Sequence, residues 1–194
     1  MSAAPAAIGQ PGMGAAAAPA VQAVWRQVAP DLVEELVAFW TQQGALASGE
    51  QARQRARQAV LVARDAEGAV CGVATAMLRV LPRLRQPMYY YRQFFAPSLR
   101  GQAFAAEFFA RARDVLQAWN ASQPQPESLG VLLEIENRKL AAAKFGDAVE
   151  PFTGAVFIGY SPRGLQLRVS YFDGAKLLAP VIAPGSPARA PRTH

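Results

Sequence analysis

The residue types available for catalysis are restricted in this chain of 194 residues. It has one histidine, His194, in the Pro/Ala-rich C-terminal segment, and one cysteine, Cys71. These counts exclude a Ser-His-Asp or Cys-His catalytic arrangement inside a domain, an intrachain disulfide and a zinc cluster. Any chemistry must therefore use carboxylates, tyrosines, hydroxyls, backbone amides or a bound cofactor.

Two carboxylates occur at alternate positions of an apolar segment. Glu134 and Glu136 alternate with Val131, Leu133 and Ile135. In a strand, this spacing places both carboxylates on one face. A carboxylate there is a candidate for proton transfer, and the alternative is a solvated or salt-bridged strand residue.

Three consecutive tyrosines, Tyr89 to Tyr91, form a second candidate group. In a strand, alternation sends Tyr90 to one face and its two neighbours to the other. One face is expected to line the core and the other a groove. A tyrosine in a groove can donate a proton, whereas core packing is the alternative role.

A segment of small residues precedes the strongest predicted helix. It reads Arg100-Gly101-Gln102-Ala103-Phe104-Ala105 and follows a predicted strand. A helix N-terminus has unpaired backbone amides and a partial positive charge, and small residues allow a phosphate to approach them. The segment is therefore a candidate pyrophosphate site, or else a buried helix start whose alanines pack against a strand.

The elements that must position these residues follow from hydrophobic periodicity and capping signals. Asp31 and Ser48 are predicted N-caps of the first two helices, and period-two patterns predict strands at 59–65, 69–80 and 88–95. The third helix carries a buried stripe made of Phe104, Phe108, Ala112, Val115 and Trp119. Strands are predicted at 130–135, 155–160 and 165–172, with a short helix at 138–145.

The order α-α-β-β-β-α-β-α-β-β predicts an α/β (α+β) fold. Helices and strands alternate only in the centre, which indicates a central mixed, mainly antiparallel sheet of about six strands with helices on both faces. The unit formed by the third strand, third helix and fourth strand of this order is expected to be the parallel part. Composition divides the chain into a disordered Ala/Pro/Gly-rich leader (1–21), one domain (22–178) and a disordered tail (179–194).

Charge and hydropathy limit the partners. The formal net charge is +6, with 20 Lys+Arg against 14 Asp+Glu, which suits an anionic ligand. The basic residues are scattered and match no nucleic-acid-binding module, so we expect no nucleic-acid partner. Arg53, Arg55 and Arg57 are interpreted as a solvated helix face, the alternative being contact with an acidic substrate or nucleotide phosphates. No apolar run is long enough for a transmembrane helix, so we expect no membrane partner.

The chain resembles the GCN5-related N-acetyltransferase (GNAT) superfamily over about residues 24–172. The resemblance rests on the order of the helices and strands and on two sequence segments. The first segment is Arg100 to Ala105, which occupies the place of the family's Arg/Gln-x-x-Gly-x-Gly/Ala loop at the start of the third helix. The second is Glu134-Ile135-Glu136-Asn137-Arg138-Lys139-Leu140-Ala141, which is similar to the family's Asn after the fifth strand.

The resemblance implies an acetyl-CoA-dependent N-acetyltransferase in the cytoplasm, acting on a primary amine of a small molecule or a protein. It implies catalytic roles for Glu134, as base or amine binder, and for Tyr90. The cofactor-binding residues that it implies are Phe95, Arg100, Gly101, Gln102, Ala103, Phe104, Ala105 and Asn137. It implies no metal, and it allows a homodimer formed through the last strands.

A second hypothesis is a catalytically degenerate domain of the same fold that binds a ligand or a protein. Ala103 stands where the family has its central glycine, and Lys144 stands where the family often has a tyrosine that acts as general acid. An open groove between the strands carrying Tyr90 and Glu134 favours the enzyme. A groove filled by Phe94, Phe95 or Phe104 favours the binding domain.

Overall fold

A computed structural model of the chain describes residues 18–46, 48–82, 84–100, 104–137, 141–142 and 145–180. Three α-helices and seven β-strands are formed by these residues. The helices are α1 (Pro30–Gln42), α2 (Gly49–Ala56) and α3 (Phe104–Ser122). The strands are β1 (Ala20–Ala23), β2 (Ala59–Arg64), β3 (Val70–Leu81), β4 (Gln86–Phe95), β5 (Gly130–Ile135), β6 (Val156–Tyr160) and β7 (Gln166–Tyr171).

The strands form one sheet in the order β1-β2-β3-β4-β5-β7-β6. All neighbouring strands are antiparallel except β4 and β5, which are parallel and are connected through α3. A parallel pair requires a crossover of this kind. The predicted fold class and the predicted parallel unit are therefore confirmed, with seven strands instead of about six.

Helices cover both faces of the sheet and divide the core into two main layers. Helices α1 and α2 pack on one face, where Leu36 and Trp40 share a buried cluster with Val62 of β2 and Val73 of β3. Helix α3 packs on the other face through its predicted stripe. Phe108 and Ala112 are fully buried, and Phe104, Val115 and Trp119 are partly buried against the same cluster.

The structure confirms one of the two predicted helix N-caps and contradicts the other. Ser48 is the N-cap of α2, and its hydroxyl accepts a hydrogen bond from the backbone N–H of Gln51. The prediction for Asp31 was wrong: Ala29 is the N-cap of α1, Pro30 follows it, and Asp31 lies in the first turn. Proline is favoured at the first helical position because its φ is preset, and an acidic residue in the first turn still stabilises the helix dipole.

The additional strand β1 lies at the edge of the sheet. It pairs antiparallel with β2, from Ala20 opposite Arg64 to Ala23 opposite Leu61. Its sequence, AVQA, carries little apolar alternation, so periodicity did not predict it. Of the predicted helix at 138–145, only residues 141–142 and 145 are among those described. No helix in the described part of the chain is long and apolar enough to cross a membrane.

Gly130 permits the close approach of β5 and β7. A Cβ atom added there would collide with the carbonyl oxygen of Ser170 and lie 2.8 Å from the Cα of Tyr171. We expect Gly130→Ala to lower the free energy of unfolding by about 2 kcal/mol, because both obstructing groups are backbone. Urea denaturation measures this change. Gly146→Ala is the matched control, since nothing lies within 4 Å of a Cβ there, and equal midpoints for the two variants would contradict the expectation.

Candidate active site

The three tyrosines of β4 alternate as predicted. Tyr89 and Tyr91 are buried in the layer beneath α3, where the Tyr91 ring packs edge-on against Phe109. Tyr90 lies on the opposite face, beside Leu132 of β5. The chemistry expected of this segment is therefore limited to Tyr90, because both neighbours are core residues.

The two predicted catalytic side chains contact each other. The Tyr90 hydroxyl donates a hydrogen bond of 2.6 Å to Oε2 of Glu134. The contact lies where the pairing between the parallel strands ends: the last paired residues are Tyr91 and Leu133. Strand β4 continues from there to Phe95, and no described residue pairs with it on the β5 side, so this strand edge can pair with another extended amide.

Glu134 is anionic and tightly held. Its side chain is 8% exposed, and its oxygens accept hydrogen bonds from Nε (3.3 Å) and Nη2 (2.8 Å) of Arg163. Burial alone would raise the Glu134 pKa. Hydrogen bonds from Arg163, Ser161 and Tyr90, together with attraction to Arg163, outweigh burial and lower this pKa to about 2.

Arg163 also contacts the second predicted carboxylate. Its Nη2 donates to Oε1 of Glu136 at 3.0 Å, so Glu134 and Glu136 share one guanidinium, as expected for carboxylates on the same face. Arg163 is positioned by the turn between β6 and β7, where the Ser161 hydroxyl accepts from the Arg163 backbone N–H. Gly164 closes the turn with φ of +72°, a conformation that favours glycine.

Tyr90 keeps its proton at neutral pH. Burial and the hydrogen bond to Glu134 raise its pKa, while Arg92 opposes that shift. Nη2 of Arg92 donates to the Tyr90 oxygen at 3.1 Å. The hydroxyl thus lies between a carboxylate that accepts its hydrogen bond and a guanidinium that donates one to its oxygen.

A cavity of about 230 Å³ lies beside Tyr90, between α2 and the β3–β4 face. Tyr90 lines it together with three glutamines and three arginines: Gln51, Gln54, Gln58, Arg55, Arg79 and Arg92. Arg55, interpreted from the sequence as part of a solvated face, is half-buried and lines this cavity. Arg79 and Arg92 were not singled out in the sequence, although alternation with Thr75 and Met77 on β3 and with Tyr90 on β4 places them on this face.

The described cofactor-binding candidates lie around the end of β4. Phe95 packs against Phe104 (5.6 Å between ring centroids) and Phe108 (5.2 Å) of α3, and Phe94 packs against Phe39 of α1 (5.6 Å). These contacts direct Phe94 and Phe95 towards the helices on the two opposite faces of the sheet. Arg100 is exposed, and its Nε donates to the Phe95 carbonyl at 3.2 Å.

The remaining candidates fall at the edges of the described chain or outside it. Ala105 lies in the first turn of α3, half-buried. Asn137 lies two residues after β5, is exposed, and its carbonyl accepts from the Ala141 backbone N–H at 2.8 Å. Gly101, Gln102, Ala103 and Lys144 lie outside the described residues.

The pKa of Glu134 predicts a pH-dependent contribution to stability. Because this pKa falls from an ordinary value of 4.5 to about 2 on folding, the ionised carboxylate stabilises the fold above about pH 4.5. This contribution is lost as pH falls towards 2. We expect Glu134→Gln to lower the free energy of unfolding by on the order of 2 kcal/mol at neutral pH, after allowing for solvent screening of exposed Arg163.

Urea denaturation at about pH 7 and about pH 3 measures the effect, which should fall to roughly half or less at the lower pH. Glu136→Gln is the matched control, because Glu136 contacts the same arginine but is 62% exposed. A Glu134→Gln effect that stays constant over this pH range would contradict the expectation.

Comparisons with known proteins support the fold. Neither protein-family models nor curated proteins gave a match. Among solved structures, a GNAT-family acetyltransferase from Streptococcus pneumoniae has a TM-score of 0.56 and 15% identity, covering 79% of this chain and 99% of that chain. The ribosomal-protein-S5-alanine acetyltransferase from Vibrio fischeri has a TM-score of 0.52 and 13% identity, covering 80% and 94%. A bacterial toxin has a TM-score of 0.52 and 12% identity, covering 80% and 92%. The protein therefore has the fold of the GCN5-related N-acetyltransferases, as its order of elements predicted.

Proposed function

We propose that the protein is an acyl-CoA-dependent N-acetyltransferase, with acetyl-CoA as donor and a primary amine as acceptor. The observation that carries this proposal is the contact between Tyr90 and Glu134 at the end of the β4–β5 pairing. A neutral hydroxyl and an anionic carboxylate are held there beside an unpaired strand edge. Proton transfer and amine binding are the two tasks that amine acetylation requires of a protein.

The residues around the end of β4 are suited to holding the donor. Among the residues that the structure describes, none pairs with the β4 backbone from Arg92 to Phe95 on the β5 side, and an amide-containing arm can pair with such an edge. Arg100 supplies a cation, and the start of α3 supplies backbone amides for a pyrophosphate. By the same proposal, Gly101, Gln102, Ala103 and Asn137 hold the donor as the resemblance implies.

Acetyl-CoA supplies the acetyl group as a thioester. The amine nitrogen forms a bond to the carbonyl carbon, the carbon–sulfur bond breaks, one proton ends on sulfur and one is released to solvent. Tyr90 is placed to donate the proton that sulfur needs, because its hydroxyl stays protonated at neutral pH. Arg92 then stabilises the oxygen until the amine proton replaces the one donated.

Glu134 is better suited to binding the ammonium form of the amine than to deprotonating it. Even at its ordinary pKa of 4.5, the carboxylate is a far weaker base than an alkylamine, whose ammonium form has a pKa of roughly 10, so direct transfer would cost about 8 kcal/mol. Electrostatic attraction to the carboxylate requires no such transfer. The amine must displace Arg163, whose side chain is 55% exposed and can move into solvent. The ammonium group then replaces the ion pair that Glu134 loses.

Release of free thiol from acetyl-CoA tests the proposal. The full chain is incubated with acetyl-CoA and a panel of small primary amines, and the acetylated product is identified by mass. We expect thiol release that depends on both protein and amine. Absence of thiol release, together with absence of acetyl-CoA binding, would contradict the proposal.

A second candidate function is a binding domain of the same fold without catalysis. The observation that favours it is that Arg163 already occupies the Glu134 carboxylate, in a chain with Ala103 and Lys144 at two family positions. Acetyl-CoA binding without thiol release for any amine of the panel would support this alternative. Turnover with one amine would exclude it.

A further inference from the structure

The cavity beside Tyr90 is lined by cations without paired carboxylates. Its described lining residues include three arginines and no aspartate or glutamate. Within the part of the chain that the structure describes, none of these arginines lies within 4 Å of a carboxylate. Uncompensated charge in a partly enclosed site is costly unless a ligand or solvent stabilises it.

The guanidinium groups converge on one ring. Arg79 and Arg92 lie 4.9 Å and 4.8 Å from the centroid of the Tyr90 ring. Arg55 reaches the same cavity from α2. Burial and repulsion by Arg92 lower the Arg55 pKa, while Glu136 and Tyr90 partly offset them. The same cations would lower the free energy of a bound anion.

One hydrogen-bond donor in this group has no acceptor among the described residues. Nε of Arg92 is buried, and no residue described in the structure accepts a hydrogen bond from it. Buried donors of this kind are usually satisfied by a partner. The neighbouring side chains of Gln51 and Gln58 can donate to an oxyanion as well, whereas Nε2 of Gln54 already donates to Glu50 at 3.2 Å. The cavity therefore offers both charge and hydrogen bonds.

Tyr90 connects this cavity to the proposed catalytic pair. Its ring lines the cavity, while its hydroxyl contacts Glu134. A ligand anchored by an anionic group among the arginines can therefore extend along Tyr90 and place an amine near Glu134. The volume of about 230 Å³ is smaller than a typical drug-sized pocket, which limits the anchored group to a compact one.

We propose that this cavity binds a carboxylate or phosphate group of the acceptor, so that the substrate is a small amine that carries an anionic group. The inference rests on the proposed function for the amine and on the arginine cavity for the anion. It restricts the acceptor of the proposed reaction from any primary amine to an amine that carries a carboxylate or phosphate group.

Binding of the simplest anions tests the cavity without turnover. Acetate and inorganic phosphate are titrated into the full-length protein and into its Arg92→Gln, Arg79→Gln and Arg57→Gln variants, followed by chemical shifts of arginine side chains. We expect saturable binding that weakens roughly ten- to a hundred-fold in Arg92→Gln and Arg79→Gln. Arg57→Gln is the matched control, because Arg57 is the exposed C-cap residue of α2 and is not among the described residues that line the cavity.

The Arg79→Gln variant keeps the test valid even if Arg92→Gln does not fold, because the Arg79 side chain is exposed and its replacement leaves the core intact. Equal anion affinity in Arg79→Gln, Arg92→Gln and Arg57→Gln, or no saturable binding to the wild type, would overturn the inference. Acetate binding stronger than phosphate binding identifies a carboxylate ligand, and the reverse order identifies a phosphate ligand.

Acetyl transfer to matched amines links the cavity to substrate choice. β-Alanine is compared with β-alaninamide, and O-phosphoethanolamine with ethanolamine. We expect the anionic member of at least one pair to have kcat/KM at least about ten-fold higher, with the preference lost in Arg79→Gln. Turnover of charged and neutral members at equal rates would overturn the inference and leave the proposed function intact. Arginine-dependent anion binding without any transfer would leave the cavity intact and contradict the function.

Discussion

Replacing Tyr90 with phenylalanine is expected to lower kcat for acetyl transfer about a hundred-fold while leaving the dissociation constant of acetyl-CoA unchanged. The substitution removes only the hydroxyl that contacts Glu134 at 2.6 Å and Arg92 at 3.1 Å. A positioned proton donor contributes roughly a hundred-fold or more to the rate. Steady-state kinetics measure kcat, and calorimetric titration measures the affinity for acetyl-CoA.

The neighbouring residue provides the matched control. Tyr89 also donates its hydroxyl to a glutamate, Glu127, at 2.5 Å, but on the face covered by α3. Tyr89→Phe should therefore change stability and leave kcat within about two-fold of the wild type. Equal kcat values for the two phenylalanine variants would contradict the role of Tyr90.

Replacing Arg168 with methionine is expected to lower the free energy of unfolding by on the order of 3 kcal/mol. Arg168 is 1% exposed, although it carries a charge. Its guanidinium donates to the carbonyls of Phe145 and Asp147 at 2.7 Å and of Ala155 at 3.1 Å. The Ala155 carbonyl keeps the backbone N–H of Glu150 as a donor, so the main loss is at the half-buried Phe145 carbonyl and in the packing around Arg168. A buried carbonyl left unpaired costs about 1–3 kcal/mol, and removal of the buried charge offsets part of that cost.

Urea denaturation measures this loss. Arg111→Met is the control, since Arg111 is exposed on α3 and makes one long hydrogen bond of 3.4 Å, to Val21. Arg168→Lys should recover only part of the stability, because an ammonium cannot reproduce the planar fork of donors. A midpoint for Arg168→Met equal to that of Arg111→Met would contradict the assigned role.

Local patterns in the sequence were sufficient to predict most of the fold. The apolar run at 130–135 coincides with β5, and the Ser48 cap and the α3 stripe occur as expected, because caps and periodicity act over a few residues. Strand β1 was missed because its stability depends on backbone pairing with β2 rather than on its own side chains. The Asp31 cap was wrong because Pro30 starts the helix two residues earlier than an Asp31 cap requires.

Part of the candidate site was likewise predictable from local sequence patterns, and part was not. Alternation placed Tyr90 and Glu134 each on a strand face, but their contact depends on the parallel register of strands joined by α3, which local patterns do not contain. Arg55 was interpreted from its own helix alone, so the cavity that it shares with Arg79 and Arg92 was missed. The signal present in the sequence was the polar residues Arg79 and Arg92 at alternating positions of otherwise buried strands.

Calorimetric titration of the full chain with acetyl-CoA tests the central claim most directly, with desulfo-CoA and dephospho-CoA as comparisons. The proposal predicts saturable binding at one site with a micromolar dissociation constant. Dephospho-CoA distinguishes the contribution of the ribose phosphate from that of the pyrophosphate. Absence of binding heat at high micromolar protein would contradict the assignment of the β4 edge and the start of α3 to an acyl-CoA donor.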